Sequence, residues 1–315
     1  MADTPSPDGV TRPGGHHASP AVTGGAGHRL PATDLRLAAL FIMGSACSFA
    51  IMGAAVKVAS QEVPTTMSVF FRNMFGWALM IPWALRVGPR ALHTRQFGGH
   101  VLRAVAGLAA MMCFFTALGR LRLADASVLN QAFPLFLPII ERVWLKHQVS
   151  PRVIAALLVG FGGVVCVLRP GAGMFTPIAF IGAASAVFAA VAQVGIRQLT
   201  ATEPVPRIVF YFGAIASAIS AVPLLWTWVE PSPVTWMALA GTGVAATAGQ
   251  LLLTRGYSHA PAASVGPFIY VGVLCSAAID WLFWDTPPDV WFAAGALLII
   301  SAGMALLRTH DAIDA

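Results

Sequence analysis

The chain has 315 residues, 57% of them hydrophobic and only 10% charged, with a mean hydropathy of +0.75. Soluble domains carry about 25% charged residues because their surfaces must face water, so this composition excludes a water-soluble globule and selects the lipid bilayer as solvent. The net charge of +6 forms no single basic face: Lys and Arg fall in short clusters between apolar runs, the pattern of loop charges that orient membrane helices, and no nucleic-acid partner is expected.

Residues 1–33 are rich in Gly, Pro, Ala, Ser and His, lack the apolar stretch of a signal peptide, and read as a disordered tail. Ten apolar runs follow: 36–58, 65–86, 98–119, 124–145, 151–169, 177–198, 206–229, 234–255, 260–283 and 288–307. Each is near the ~20 residues that a helix needs to cross hydrocarbon, and none alternates as a β-barrel strand does. Pro64, Pro151, Pro177, Pro206, Pro261 and Pro288 stand at or near the start of a run, where a first-turn N–H has no helical partner to lose. Cys47, Cys113, Cys166 and Cys275 lie in four different runs without paired spacing. They read as small packing residues, neither disulfide partners nor metal ligands. The histidines occupy the tail, loops and helix ends, so no metal site and no cofactor is expected.

The expected fold class is therefore an all-α membrane protein with ten transmembrane helices. With the N-terminus inside, fourteen Lys and Arg, among them Arg86, Arg90, Arg95, Arg103, Arg142, Lys146 and Arg152, flank the cytoplasmic side. Four, Lys57, Arg120, Arg122 and Arg169, flank the outer side, which predicts both termini in the cytoplasm. The chain also repeats. Shifting residues 118–153 by 137 positions gives nine identities, including Ser127 with Ser264, Trp144 with Trp281 and Pro151 with Pro288. Loops at corresponding places carry opposite charge bias: Lys146, His147 and Arg152 stand against Asp285 and Asp289. An odd number of helices per copy makes the second copy enter inverted, which predicts a five-helix unit over 34–170 and an inverted one over 171–310. Inverted repeats of this kind mark secondary transporters that hold substrate near the midplane.

Three stretches, FFRNMFGWALMIPWALR (70–86), CFFTALGRLRLADASVLNQAFPLF (113–136) and VIAALLVGFGGVVCVLRPG (153–171), resemble EamA-type members of the drug/metabolite transporter superfamily. The resemblance covers about 36–308 and implies a carrier of small metabolites in the inner membrane, often an exporter, with a central cavity. One departure stands out: such proteins commonly have Gly-Glu between helices four and five, where this chain has Lys146 and His147, while Asp285 remains in the matching loop of the second half.

Among residues able to carry chemistry, Arg72 comes first. It lies about eight residues into the second run, roughly 10–12 Å deep at 1.5 Å per residue. An intramembrane arginine is costly and faces a polar cavity or a partner. It reads as a site for a carboxylate or phosphate, with a structural ion pair or a snorkelling side chain as the other reading. Asn130 and Gln131 stand at similar depth beside Pro134, which leaves the Asn130 carbonyl without a helical donor. They suit a binding surface at a broken helix, or ordinary helix–helix hydrogen bonding. Tyr270 is the polar group of the second half expected to line a cavity. Glu141 and Asp280, near opposite faces, are the carboxylates placed to couple protons, or else they anchor helix ends at the interface. The GFGG of residues 160–163 sits within a span and reads as close helix packing, not a nucleotide loop.

No Walker A, HExxH or GxSxG motif occurs, so no enzyme activity is expected and a gradient or exchange must supply the energy. The expected function is alternating-access transport of a small polar metabolite, amino-acid-like or an organic anion. The alternatives are a channel or scaffold without turnover, and a carrier of nucleotide sugars or lipid-linked substrates. The partners expected are the substrate and the bilayer, with monomer and homodimer both open.

Overall fold

In the computed structural model, residues 34–118, 120, 123–171, 176–285, 287 and 289–314 are described, with side chains left aside at 115, 118, 123–126 and 308–314. The tail at 1–33, Arg122 and Pro288 lie outside the described residues. All regular structure among the described residues is helical.

The chain opens with α1 (Leu35–Ala59), whose first turn is capped by the Asp34 carboxylate accepting from Leu37 N–H at 3.0 Å. The long α2 (Thr65–Leu92) starts after Pro64 and bends at Gly88, which adopts φ 75°, a conformation open to glycine without steric cost. Next come α3 (Phe97–Leu118), α4 (Leu123–Gln131) and α5 (Phe133–Ile140), which continues into a π turn at Glu141–Leu145. Then α6 (Pro151–Leu168) begins at a Ser150 cap, and α7 (Ala179–Leu199) follows. The remaining helices are α8 (Val205–Ser220), the single turn α9 (Leu224–Thr227), α10 (Pro233–His259), α11 (Ala262–Ile269), α12 (Val271–Trp284) and α13 (Val290–Asp314).

Two of the apolar runs are broken midway. Pro134 has no N–H for the Asn130 carbonyl, and α4 gives way to α5 at Ala132, whose carbonyl accepts from Leu135 N–H at 3.0 Å. The second break falls at Tyr270, three residues after Pro267, and Val273 N–H bonds the Tyr270 carbonyl at 3.0 Å in the same tightened pattern.

Helices pair in a definite way: α1 on α10, α3 on α7, α6 on α13, and α2 on α8. The α6–α13 contact is close because both sides are glycine. A Cβ on Gly163 would lie 2.7 Å from the Gly295 carbonyl oxygen, and one on Gly295 would lie 2.6 Å from that of Gly163. Small residues that let backbones touch are how helices gain van der Waals contact in lipid. The start of α1 meets the end of α10, where Asp34 N–H donates to the His259 carbonyl at 3.1 Å. At the other end of that pair, Glu62 meets Ser232, so α1 and α10 run antiparallel. Arg197, near the end of α7, reaches the Tyr257 carbonyl, which puts the end of α7 beside the end of α10.

Seven helical stretches of the described residues are long and apolar enough to cross a membrane, counting 262–284 as one through its break. Large apolar side chains point outward, with Phe180 and Leu225 each 80% exposed. Such a coat is unfavourable in water and ordinary in hydrocarbon. The chain is a multi-pass membrane protein. One expectation needs correcting: Cys47 on α1 and Cys275 on α12 are not separate packing residues but a bonded pair, with Cα atoms 5.5 Å apart. A separation of 228 residues leaves no spacing signal in the sequence, and only the packing of α12 on α1 brings them together. Cys113 and Cys166 are free.

Candidate functional site

Three helices build a small cleft. From α2 come Arg72, Asn73 and Gly76; from α8, Val209, Phe212 and Gly213; from α10, Ala246, Thr247 and Gln250. On each helix these positions are spaced by one, three or four residues, the spacing that puts side chains on one face. Gly76 lets α10 come close, since a Cβ there would lie 2.7 Å from the Thr247 hydroxyl.

Arg72 is 7% exposed. Its Nε donates to the Met52 thioether at 3.1 Å, and its Nη1 donates to Asn73 Oδ1 at 3.1 Å and faces the Met111 sulfur at 3.8 Å. Thioethers and amides are neutral acceptors and leave the charge unanswered. Among the described residues, no ion pair includes Arg72.

Arg103 corrects a second expectation. Counted from sequence with the loop charges, it is buried at 4% exposure, within α3. Its Nη2 donates to Gln250 Oε1 at 2.8 Å, and its guanidinium lies 3.6 Å from the ring centre of Phe212. Both contacts belong to the cleft lining. Its Nε is buried without a partner, and so is Asn73 Nδ2. Room for the guanidinium comes from Gly107, where a Cβ would lie 2.8 Å from Arg103 Nη1. A signal was available: Arg103 lies six residues past the start of α3, a depth of roughly 9 Å, and glycine follows one turn later.

The other candidates lie elsewhere. Asn130 Nδ2 donates to Ser185 on α7 at 3.1 Å, and Gln131 is the half-buried last residue of α4. Tyr270 is fully buried, its ring against Gly160 and Phe161 and its hydroxyl without a partner. Gly162, by contrast with Gly160 and Gly163, has nothing within 4 Å of a would-be Cβ. None of Asn130, Gln131 and Tyr270 lines the Arg72 cleft.

Glu141 is fully buried, beyond the easy hydration expected of an interfacial acid. One carboxylate oxygen accepts from Ala262 N–H at 2.6 Å, at the start of α11, and the other has no partner. An anion at a helix N-terminus is favoured by the unpaired N–H groups there. Asp280 pairs with Lys57 at 2.8 Å, half-exposed, and the Lys57 ammonium lies 3.9 Å from the centre of the Trp284 ring. Near Glu141, the turn residue His147 is pushed below its ordinary pKa, first by burial and then by the Arg197 charge. It therefore stays neutral at neutral pH.

The EamA-like transporter family matches this sequence twice, over 36–169 and 176–308. A pseudopaline exporter of Pseudomonas aeruginosa is 36% identical over 278 residues, covering 87% of this chain and 97% of the exporter. A riboflavin transporter of Brucella anthropi is 27% identical, over 84% of this chain and 97% of that protein. An S-adenosylmethionine uptake transporter of Rickettsia bellii is 25% identical, over 76% of this chain and 83% of that protein. One solved crystal structure superposes with a TM-score of 0.77 at 20% identity, covering 90% of this chain and 100% of that one, which shows the shared fold. With two matches that together span most of the sequence and transporters among its relatives, the chain belongs to the EamA-like transporter family and is a small-molecule transporter, not an enzyme.

Proposed function

We propose that the protein is a secondary carrier that moves a small anionic metabolite across the inner membrane by alternating access, in the direction of export. The carrying observation is Arg72, buried on a cleft between three helices with only neutral partners. A substrate anion there supplies the charge that the protein does not. Identity of 36% with an exporter supports the direction.

The scaffold in this reading is ten crossings in two inverted halves, over 34–170 and 171–310, with both termini cytoplasmic. The helix pairings support it. Exchanging first-half helices for second-half ones turns the α1–α10 contact into the α3–α7 contact, and maps α2–α8 and α6–α13 onto themselves. The two mid-run breaks, at Ala132 and Tyr270, also fall at corresponding places. Asn130, Gln131 and Tyr270 enter the proposal as polar groups beside these breaks, and Glu141 and Asp280 as its proton-coupling acids.

The test is transport in proteoliposomes with a metabolite panel chosen by thermal stabilisation, since a ligand of the folded state raises apparent stability by mass action. Flux that saturates and counter-exchanges is expected; flux that does neither makes the protein a channel. Arg72→Lys keeps charge but loses the planar fork, and is expected to weaken apparent affinity by about 10-fold, near 1.4 kcal/mol. Wild-type affinity in a folded Arg72→Gln variant removes the role. Cysteines introduced near Glu230 are expected to react from outside and those near Arg90 are not; the reverse overturns the topology.

A further inference from the structure

The geometry points to one dicationic site formed by Arg72 and Arg103, whose ligand carries two negative charges: a dicarboxylate or a phosphate-type dianion. This rests on the carrier reading above and names its substrate class.

The two arginines come from different helices, α2 and α3, and meet at one cleft. Arg72 lines it directly, while Arg103 holds two lining residues, Gln250 by a hydrogen bond and Phe212 by its ring face. Both guanidinium-bearing residues are buried. Their partners are two thioethers, two amide oxygens and an aromatic ring, all neutral.

The chain treats other desolvated arginines differently. Arg207 has the Glu203 carboxylate at 2.6 Å. Arg197 has the Tyr257 carbonyl at 2.6 Å, in the last turn of α10. Only at the cleft do two buried cations converge, among the described residues, with no acid provided. A buried charge without a counter-charge is costly, and a single-charged ligand answers one of the two. The unused hydrogen-bonding groups agree: Arg103 Nε and Asn73 Nδ2 are both donors, and they require acceptor oxygens. Gly107 keeps open the space that the Arg103 guanidinium fills.

The experiment uses the full chain purified in detergent and follows its thermal unfolding in sodium sulfate, phosphate and succinate, against chloride and acetate at matched ionic strength. The dianions are expected to raise the midpoint saturably by several degrees, through binding to the folded state. Chloride and acetate are expected to give no saturable rise. Arg103→Gln is expected to lose the preference for dianions, with apparent affinity for sulfate lower by about 10-fold or more. Arg103→Lys retains the charge, is expected to keep the preference at weaker affinity, and decides the matter if the Gln variant does not fold. Equal responses to sulfate and chloride in the wild type, or an unchanged preference in folded Arg103→Gln, overturn the proposal. The carrier reading fails separately: saturable transport of a monoanion or a cation leaves the carrier standing and removes the two-charge site. Dianion stabilisation without saturable flux leaves the site standing and removes the carrier.

Discussion

Glu62 and Glu203 occupy two turns, one just before α2 and one just before α8, and each reaches across to the start of another helix. Glu62 accepts from Ser232 N–H at 2.9 Å, from Ser232 Oγ at 2.7 Å and from the Thr235 hydroxyl, tying its turn to the first turn of α10. Glu203 accepts from Thr94 Oγ1 at 2.6 Å, just ahead of α3, and from Arg207 at 2.6 Å, with His100 Nε2 4.0 Å away. They lie at opposite ends of the molecule, since the end of α7 sits beside the end of α10 and Glu62 beside its start. The same clasp is thus built twice, once in water and once out of it: Glu62 is exposed and Glu203 is buried. Water competes for the Ser232 bonds of the first and for few of the second. One end is tied through an exposed carboxylate, and the other through a desolvated one.

The largest effect expected from this contrast is at Glu203. Glu203→Ala leaves Arg207 without its carboxylate in a mostly buried setting, which costs about 3 kcal/mol, read as a large fall in the thermal midpoint. A fall no greater than that of Glu62→Ala would erase the distinction between the two clasps. Next is removal of the Ser232 cap: Ser232→Ala is expected to cost about 1 kcal/mol, with no further loss when combined with Glu62→Ala if both act through one clasp. The Lys57–Asp280 pair at the same end is half-exposed, and a double-mutant cycle is expected to give a coupling below about 1 kcal/mol that fades with added salt. A larger, salt-insensitive coupling would show that this end is drier than its exposure implies.

The subtlest prediction concerns pH. Glu62 is held below its ordinary pKa, first by the Thr235 hydroxyl and then by that of Ser232, both donating to the charged form. A carboxylate depressed on folding contributes stability above its ordinary value and loses it as pH falls through the lowered folded value. Hydrogen exchange at residues 61–63, corrected for its intrinsic pH dependence, is therefore expected to accelerate in that acid window. Glu62→Gln is expected to show no such step. A step that persists in Glu62→Gln assigns it to another group.

Much of this architecture is legible in the residues themselves. Apolar runs of spanning length bring out the long helices, and Pro134 marks the α4–α5 break because a missing N–H acts locally. Arg72 stands out because charge inside an apolar run is costly wherever the helix turns it. Arg103 is hidden by its company: Arg90 and Arg95 precede it, and a rule that counts loop charges absorbs a residue nearly two turns inside the helix. The Cys47–Cys275 pair and the two glutamate clasps are hidden for a different reason. Each joins residues far apart in sequence, Glu62 to Thr235 and Thr94 to Glu203 among them. Such contacts follow from which helices pack together, and apolar periodicity alone does not specify that. The second helix break falls at Tyr270, not at Pro267, so even a proline leaves the position of a break open by a turn.

At the corner between α10 and α11 the chain reverses through Ala260 and Pro261 in a dry interior. Arg197 holds a carbonyl in the last turn of one helix, and Glu141 holds the first N–H of the next. Each helix end meets the opposite charge, so the corner is a pinned joint whose two pins come from α7 and from the end of α5. A proton placed on Glu141 would weaken one pin, because a neutral carboxyl accepts less strongly than a carboxylate, and leave the other as it is.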